Sequence, residues 1–225
     1  MDTDIVRSAP LFAALDEDAS RSLRESMHPV RLSRGEVLFA EGDQGERLFV
    51  ILEGKIKLGR TSSDGRENLL AIVGPGEMFG ELSLFDPGPR TATATCVSDA
   101  ELIALGHEAL QPFLLQHPEV GVQLLQSLAR RLRRTNDSLA DLVFSDVPGR
   151  VAKALLDLAS RFGRPVEGGV LVAHELTQEE LAQLVGASRE TVNKALADFA
   201  GRGWLRVEAR AVVLLDIDRL RHRSR

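Results

Sequence analysis

The 225-residue chain is 44% hydrophobic and 27% charged, an ordinary balance for a soluble globular protein, and is long enough for two small domains that each bury a core. No apolar run approaches the ~20 residues of a membrane span, and the single cysteine, Cys96, excludes both an internal disulfide and a cysteine-built metal or iron–sulfur site. The opening stretch MDTDIVRSAP is acidic where a signal peptide is basic, so a cytoplasmic protein without membrane association is expected.

The net charge of −5 is unevenly spread. Residues 1–144 hold 15 basic and 22 acidic side chains, whereas 145–225 hold 13 and 11. The second part is therefore compatible with a polyanionic partner, since such binding needs a basic face rather than a basic chain.

An amphipathic helix is expected over 16–27. Between Gly35 and Gly88 lie ten of the nineteen glycines, at turns such as Glu41-Gly42-Asp43, Glu53-Gly54-Lys55, Asp64-Gly65-Arg66 and Gly74-Pro75-Gly76. The apolar or alternating runs between them, at 37–40, 48–52, 55–60 and 68–73, read as short strands. With 91–97 and 101–105 they make an antiparallel roll, barrel or sandwich.

From Pro118 to Phe144 the pattern becomes one long helix. Leu125, Leu128, Leu132, Thr135, Leu139 and Leu142 follow a heptad spacing, and Arg130, Arg131, Arg133 and Arg134 keep the apolar stripe narrow. A narrow stripe suits pairing of two parallel copies better than a broad contact with the helix's own roll. Thr135 at a core position of the seam either sets register or meets a buried polar partner.

Ser145-Asp146-Val147-Pro148 breaks that helix, with Asp146 suited to cap the next one over 149–162 and Pro148 to its first turn. A glycine-containing loop then leads to Thr177-Gln178-Glu179-Glu180, a capping box. Gly186 supplies a turn, and Ser188 caps a second helix over 189–200 with Val192, Ala195, Leu196 and Phe199 inward. Two short helices so arranged read either as ordinary helix packing or as a helix-turn-helix, whose second member enters the DNA major groove. The alternating segment 204–214 reads as a hairpin wing.

The expected DNA-contacting set is Thr177, Gln178 and Glu179 on the first helix, with Ser188, Arg189, Glu190, Thr191, Asn193 and Lys194 on the second. Arg189 suits a two-pronged contact to guanine and Glu190 can accept from cytosine. Ser188, Thr191 and Lys194 suit phosphates or secondary base contacts.

Three motifs in the right order carry a family resemblance. Ala187-Ser188-Arg189-Glu190-Thr191-Val192 resembles the recognition helix of the cyclic AMP receptor protein/fumarate-nitrate regulator (CRP/FNR) family. Phe79-Gly80-Glu81-Leu82-Ser83-Leu84-Phe85 with Arg90-Thr91-Ala92 resembles its phosphate-binding cassette. Ala129-Arg130-Arg131-Leu132 before Thr135-Asn136 resembles its dimerisation helix, and the likeness is to the actinobacterial cyclic AMP receptors.

The resemblance implies an α+β chain: a jelly-roll-like cyclic-nucleotide-binding β-roll over 1–117, a dimerisation helix and hinge over 118–145, and a winged helix-turn-helix over 146–225. It implies cyclic AMP as allosteric effector, homodimerisation, a palindromic double-stranded operator resembling TGTGA-N6-TCACA, and RNA polymerase as partner. In the cassette, Gly80, Leu82, Ser83, Arg90 and Thr91 would hold the cyclic phosphate, through a short helix N-terminus and a guanidinium. Glu81 would accept from the ribose 2′-hydroxyl. Thr135 and Asn136 would meet the adenine, one from each subunit; family members have serine after the threonine, so Asn136 is a departure. Arg131 either approaches the ligand or forms a salt bridge. The hinge at 144–146 would relay binding.

Three other readings compete. A regulator of the same fold could bind DNA without ligand or answer to another nucleotide. A cupin-type metal enzyme needs clustered histidines, and 35–105 holds none. A sensor feeding a kinase or channel would lack the helix-turn-helix.

Overall fold

The computed structural model describes residues 26–62, 65, 67–86 and 88–224. The helix expected over 16–27 lies almost wholly outside them. By contacts the described chain divides into two compact units, one of residues up to Thr61 with Leu70–Leu132, the other of Ser62–Leu69 with Arg133 onward.

The first unit is an antiparallel roll. Its strands are β1 (His28–Leu32), β2 (Val37–Phe39), β3 (Arg47–Thr61), β4 (Glu67–Val73, of which the part from Leu70 falls in this unit), β5 (Met78–Phe79) and β6 (Thr93–Gly106). They run in the order β1-β6-β3-β4, with β2 on β6 and β5 on β3. Sequence reading split β3 and β6 into two strands each, taking the glycine at 54 for a turn. In the structure both strands are continuous, and their ladder is irregular around Ile51–Ile56. Gly54 lies inside β3 at φ +83°, and a side chain there would strike the Asp99 carbonyl and Ala100. It is a bulge that bends a long strand, a distinction that spacing cannot make.

One face of the roll packs Phe49, Ile51, Ile56, Leu58, Phe79, Ala94 and Leu102 into a core. The other packs Leu48, Val50, Ile103 and Leu105 against two helices, α2 (His107–Gln116) and α3 (Pro118–Phe144), through Leu110, Phe113, Val120 and Leu124. A four-residue helix, α1 (Leu82–Phe85), follows β5.

The long helix was placed correctly, and its apolar residues divide. Leu128 is partly buried against the roll's own core, so it does not belong to an open seam. Leu125, Leu132, Leu139 and Leu142 remain 67%, 62%, 58% and 52% exposed.

The second unit joins α4 (Val147–Phe162), α5 (Gln178–Val185), α6 (Arg189–Gly201) and α7 (Ile217–Arg223) to an antiparallel sheet ordered β7-β8-β10-β9. The stretch read as a glycine-containing loop is a hairpin, β7 (Gly163–Val166) and β8 (Gly169–Val172). The expected wing is β9 (Leu205–Glu208) and β10 (Ala211–Leu214), and β10 pairs with β8 as well. All four residues of β10 are buried. The wing is therefore half of a four-stranded sheet rather than a free hairpin.

Candidate nucleotide cradle and DNA-reading helices

Between β5 and β6 the chain builds a small polar cradle. Gly80 stands at φ +78°, and a side chain there would come 2.8 Å from Arg90 Nη1 and 3.1 Å from the Arg47 carbonyl. Backbone freedom and close approach both require glycine. Glu81 then opens α1, whose first turn leaves the amides of Leu82 and Ser83 without an intrahelical acceptor.

Arg90 is almost fully buried. Its Nη1 donates to the Gly80 carbonyl and its Nη2 to the Arg47 carbonyl, both at 2.8 Å. Its guanidinium lies 4.2 Å over the Phe39 ring, which packs at a tilt on the stacked pair of Phe49 and Phe79. Burial lowers its pKa, and the charges of Glu81 and Asp43 oppose that. Arginine nevertheless remains charged at any ordinary pH. Its Nε is buried and finds no hydrogen-bond partner.

Glu81 is 1% exposed. Its Oε1 accepts from Arg131 Nη1 of α3 at 2.8 Å, and its Oε2 is buried without a partner. Arg131 thus pairs with a carboxylate of the cassette itself. Ser83 is buried with its hydroxyl 3.4 Å from the Pro89 carbonyl, and Thr91 is exposed beside Arg90. The polar atoms left over are thus an acceptor on Glu81 and a donor on Arg90. A hydroxyl-bearing anion supplies the complementary pair, so these residues fit a cyclic nucleotide.

A cavity of about 600 Å³ opens nearby, with Gln44, Gly45, Arg47 and Ser83 on its wall. Glu81 and Arg90 lie outside that wall. Sequence reading missed three contributors to the cradle: Phe39, the Arg47 carbonyl and Gly45. The second glycine of Glu41-Gly42-Asp43-Gln44-Gly45 was the available signal.

Thr135 and Asn136 are both exposed on α3. Among the described residues no three His, Cys, Asp or Glu side chains are grouped to hold a metal, and no helix is long and apolar enough to cross a membrane.

In the second unit the helix-turn-helix follows its caps. Thr177 Oγ1 accepts from the Glu180 amide at 3.2 Å, and Glu180 answers at the Thr177 amide at 2.8 Å. Gly186 closes α5 in the left-handed conformation at φ +69°. Ser188 Oγ accepts from the Thr191 amide at 3.2 Å and also bonds the Thr191 hydroxyl at 2.8 Å. Gln178, Glu179, Arg189, Glu190, Thr191 and Lys194 are exposed, and Lys194 pairs with Glu190 at 2.8 Å. Asn193, between Arg189 and Lys194 on the helix, is only partly exposed, and its side-chain oxygen is buried without a partner.

Arg150 of α4 holds this motif from behind. It donates to the carbonyls of Ser145 at 2.8 Å, Val185 at 3.0 Å and Gly186 at 3.2 Å. It ties the end of the long helix to the turn of the helix-turn-helix.

A β-roll with a buried arginine and glutamate, followed in the same chain by a winged helix-turn-helix, defines a nucleotide-binding, DNA-binding regulator. Residues 29–117 match the cyclic nucleotide-binding domain model, and 149–223 match the Crp-like helix-turn-helix domain. A CRP-like cAMP-activated global transcriptional regulator of Mycobacterium tuberculosis is 54% identical over 222 residues, 99% of each chain. A cyclic AMP receptor protein of Thermus thermophilus is 37% identical, over 94% of this chain and 97% of the other. The solved c-di-GMP responsive global regulator CLP of Xanthomonas campestris superposes with a TM-score of 0.76 at 26% identity, covering 88% of this chain and 99% of that one. The chain belongs to the cyclic AMP receptor protein/fumarate-nitrate regulator family of DNA-binding transcription regulators.

Proposed function

We propose that this regulator is a cytoplasmic homodimer that answers to cyclic AMP and reads a palindromic operator resembling TGTGA-N6-TCACA. The observation that carries the sensor half is Glu81, a buried carboxylate with one oxygen held by Arg131 and the other unpartnered. Leaving a buried acceptor unsatisfied is costly, and a ribose hydroxyl donates to it. When bound, the nucleotide brings one phosphodiester charge, that hydroxyl and a base edge. Arg90 holds the phosphate charge together with the Gly80, Leu82, Ser83 and Thr91 segment. Arg131 orients Glu81. Thr135 and Asn136, the two subunits each contributing, read the adenine 6-amino group.

The dimer is supported by the exposed Leu125, Leu132 and Leu139 along α3, because three leucines at heptad spacing do not stand in water without cause. We assign 1–117 to sensing, 118–145 to dimerisation and 146–225 to DNA binding. In the last, Arg189 reads guanine and Glu190 cytosine, with Thr177, Gln178, Glu179, Ser188, Thr191 and Lys194 toward the backbone and flanking contacts. RNA polymerase is the partner such an operator complex serves.

Calorimetric titration with cyclic AMP and cyclic GMP, followed by operator binding in each state, tests this reading. Cyclic AMP binding with a gain in operator affinity is expected; indifference to every cyclic nucleotide overturns the sensor half. A second reading, response to a different nucleotide, is favoured by the c-di-GMP responsive relative and by Asn136. A c-di-GMP arm in the same titration separates the two.

A further inference from the structure

Gly42 and Gly45 stand in one loop between β2 and β3, and glycine is needed at each for a different reason. Gly42 has φ +92° and nothing within 4 Å of where a side chain would begin. Its requirement is backbone conformation. Gly45 is absent from the positive-φ residues, so any residue can adopt its backbone. Yet a Cβ built on it would lie 2.6 Å from Arg90 Nε, 2.8 Å from Arg90 Cζ and 2.7 Å from Ser83 Cβ. All three are well inside van der Waals contact.

The guanidinium has little room to yield. Carbonyls of Gly80 and Arg47 hold its two terminal nitrogens at 2.8 Å, and the Phe39 ring lies 4.2 Å from its centre. Gly80 bounds it on another side, where a Cβ would approach Nη1 to 2.8 Å. Ser83, the remaining neighbour, is itself buried in the cassette.

We propose that Gly45 is a positioning residue of the anion site: the volume its absent side chain leaves is the volume Arg90 occupies. The loop before β3 thereby fixes the cation that faces the phosphate, although it lies some 45 residues before the cassette arginine in the chain. This rests on the nucleotide reading given above. It adds a residue outside the 79–92 motif to the machinery that decides affinity for the cyclic phosphate.

The test uses the full-length protein with Gly45→Ala, Arg90→Ala and the double variant. Gly45→Ala is expected to weaken cyclic AMP binding roughly 10- to 100-fold, the scale of losing a charge-assisted hydrogen bond. In the Arg90→Ala background the same change is expected to cost clearly less, because the two Arg90 contacts are gone and only the one to Ser83 remains. Equal losses in both backgrounds, or wild-type affinity in Gly45→Ala, overturn the proposal. A ligand-free readout separates it from the nucleotide reading. The Arg90 Nε–H exchange protection seen by NMR is expected to fall in Gly45→Ala whatever the effector, and unchanged protection also overturns it. Should Gly45→Ala melt too early to titrate, the double variant removes both Arg90 contacts and leaves only the one to Ser83. Gly45→Ala is then expected to lower Tm less in the Arg90→Ala background than in the wild type, and an equal drop in both counts against the proposal.

Discussion

Glu81 and Arg131 form a pair with unequal exposure, 1% for the carboxylate side chain and 39% for the guanidinium. Removing the arginine strands a buried carboxylate, whereas removing the glutamate leaves a guanidinium that already reaches water. Arg131→Leu is therefore expected to lower unfolding free energy by about 1.5–3 kcal/mol, the range for a hydrogen bond to a charged group. Glu81→Gln, which keeps the shape and an acceptor, is expected to lower it less. Urea unfolding of both variants measures the difference. Cys96 behaves in the opposite sense to a reactive thiol. It is buried, and burial first, then the charge of Asp99, pushes its pKa up. Thiolate is the reactive form, so alkylation in the native protein is expected to be slow at neutral pH and rapid only after unfolding. Mass spectrometry of iodoacetamide-treated samples checks this. That Glu81 and Arg90 come together was legible in sequence because a motif pairs them. Gly45 and Phe39 were not, because what they do depends on a neighbour that folding brings from half a domain away.

Asp146 caps α4 and joins two elements at once. Its Oδ1 accepts from the Gly149 amide at 2.9 Å and its Oδ2 from Arg223 Nη2 of α7 at 2.6 Å. The Arg223 bond first, then the amide, holds its pKa below the ordinary value of 3.8. A depressed carboxyl stabilises the fold above its unfolded pKa, and that stability is lost as pH falls below 3.8 through the folded value. Asp146→Ala is thus expected to cost about 0.5–2 kcal/mol near neutrality, and the deficit relative to wild type should close under acid. Thermal melts at pH 7 and at pH values below 3.8 read it, and a deficit independent of pH would refute the assignment. The α3 stripe makes a prediction at the same scale. Leu132 is 62% exposed in the single chain, so Leu132→Glu should leave the monomer fold intact. It should weaken self-association by roughly 1.5–3 kcal/mol for each copy. Sedimentation velocity separates a monomer from the expected dimer. Elements with strong punctuation, such as the Thr177 box, the Gly186 cap and the Pro118 and Asp146 starts, were readable residue by residue. Leu128 was not, since an apolar side chain at heptad spacing is the same letter whether it faces a partner or its own roll.

At the scale of the molecule, the cyclic nucleotide-binding match over 29–117 and the helix-turn-helix match over 149–223 are separate segments, so the two bindings can be assayed separately and then for their coupling. A coupling free energy of about 1–3 kcal/mol is typical of such switches, equivalent to roughly 5- to 150-fold in affinity. Saturating cyclic AMP is expected to raise operator affinity within that range, and operator DNA must raise cyclic AMP affinity by the same factor. Fluorescence anisotropy on one side and calorimetry on the other measure the two, and unequal factors would mean the binding states are not those assumed. The order of modules, the helical caps, the helix-turn-helix and the Gly80–Arg90 segment were legible in the sequence alone, because each is specified by neighbours within a few positions along the chain. Tertiary structure decided whether Gly54 turned the chain or bulged a strand, that 163–172 joins the wing in one sheet, and that the Asn193 side-chain oxygen is buried. It also set which atoms of Glu81 and Arg90 remain unpaired. Each of those depends on contacts between residues far apart in sequence, and the energies of such contacts leave no local pattern to read.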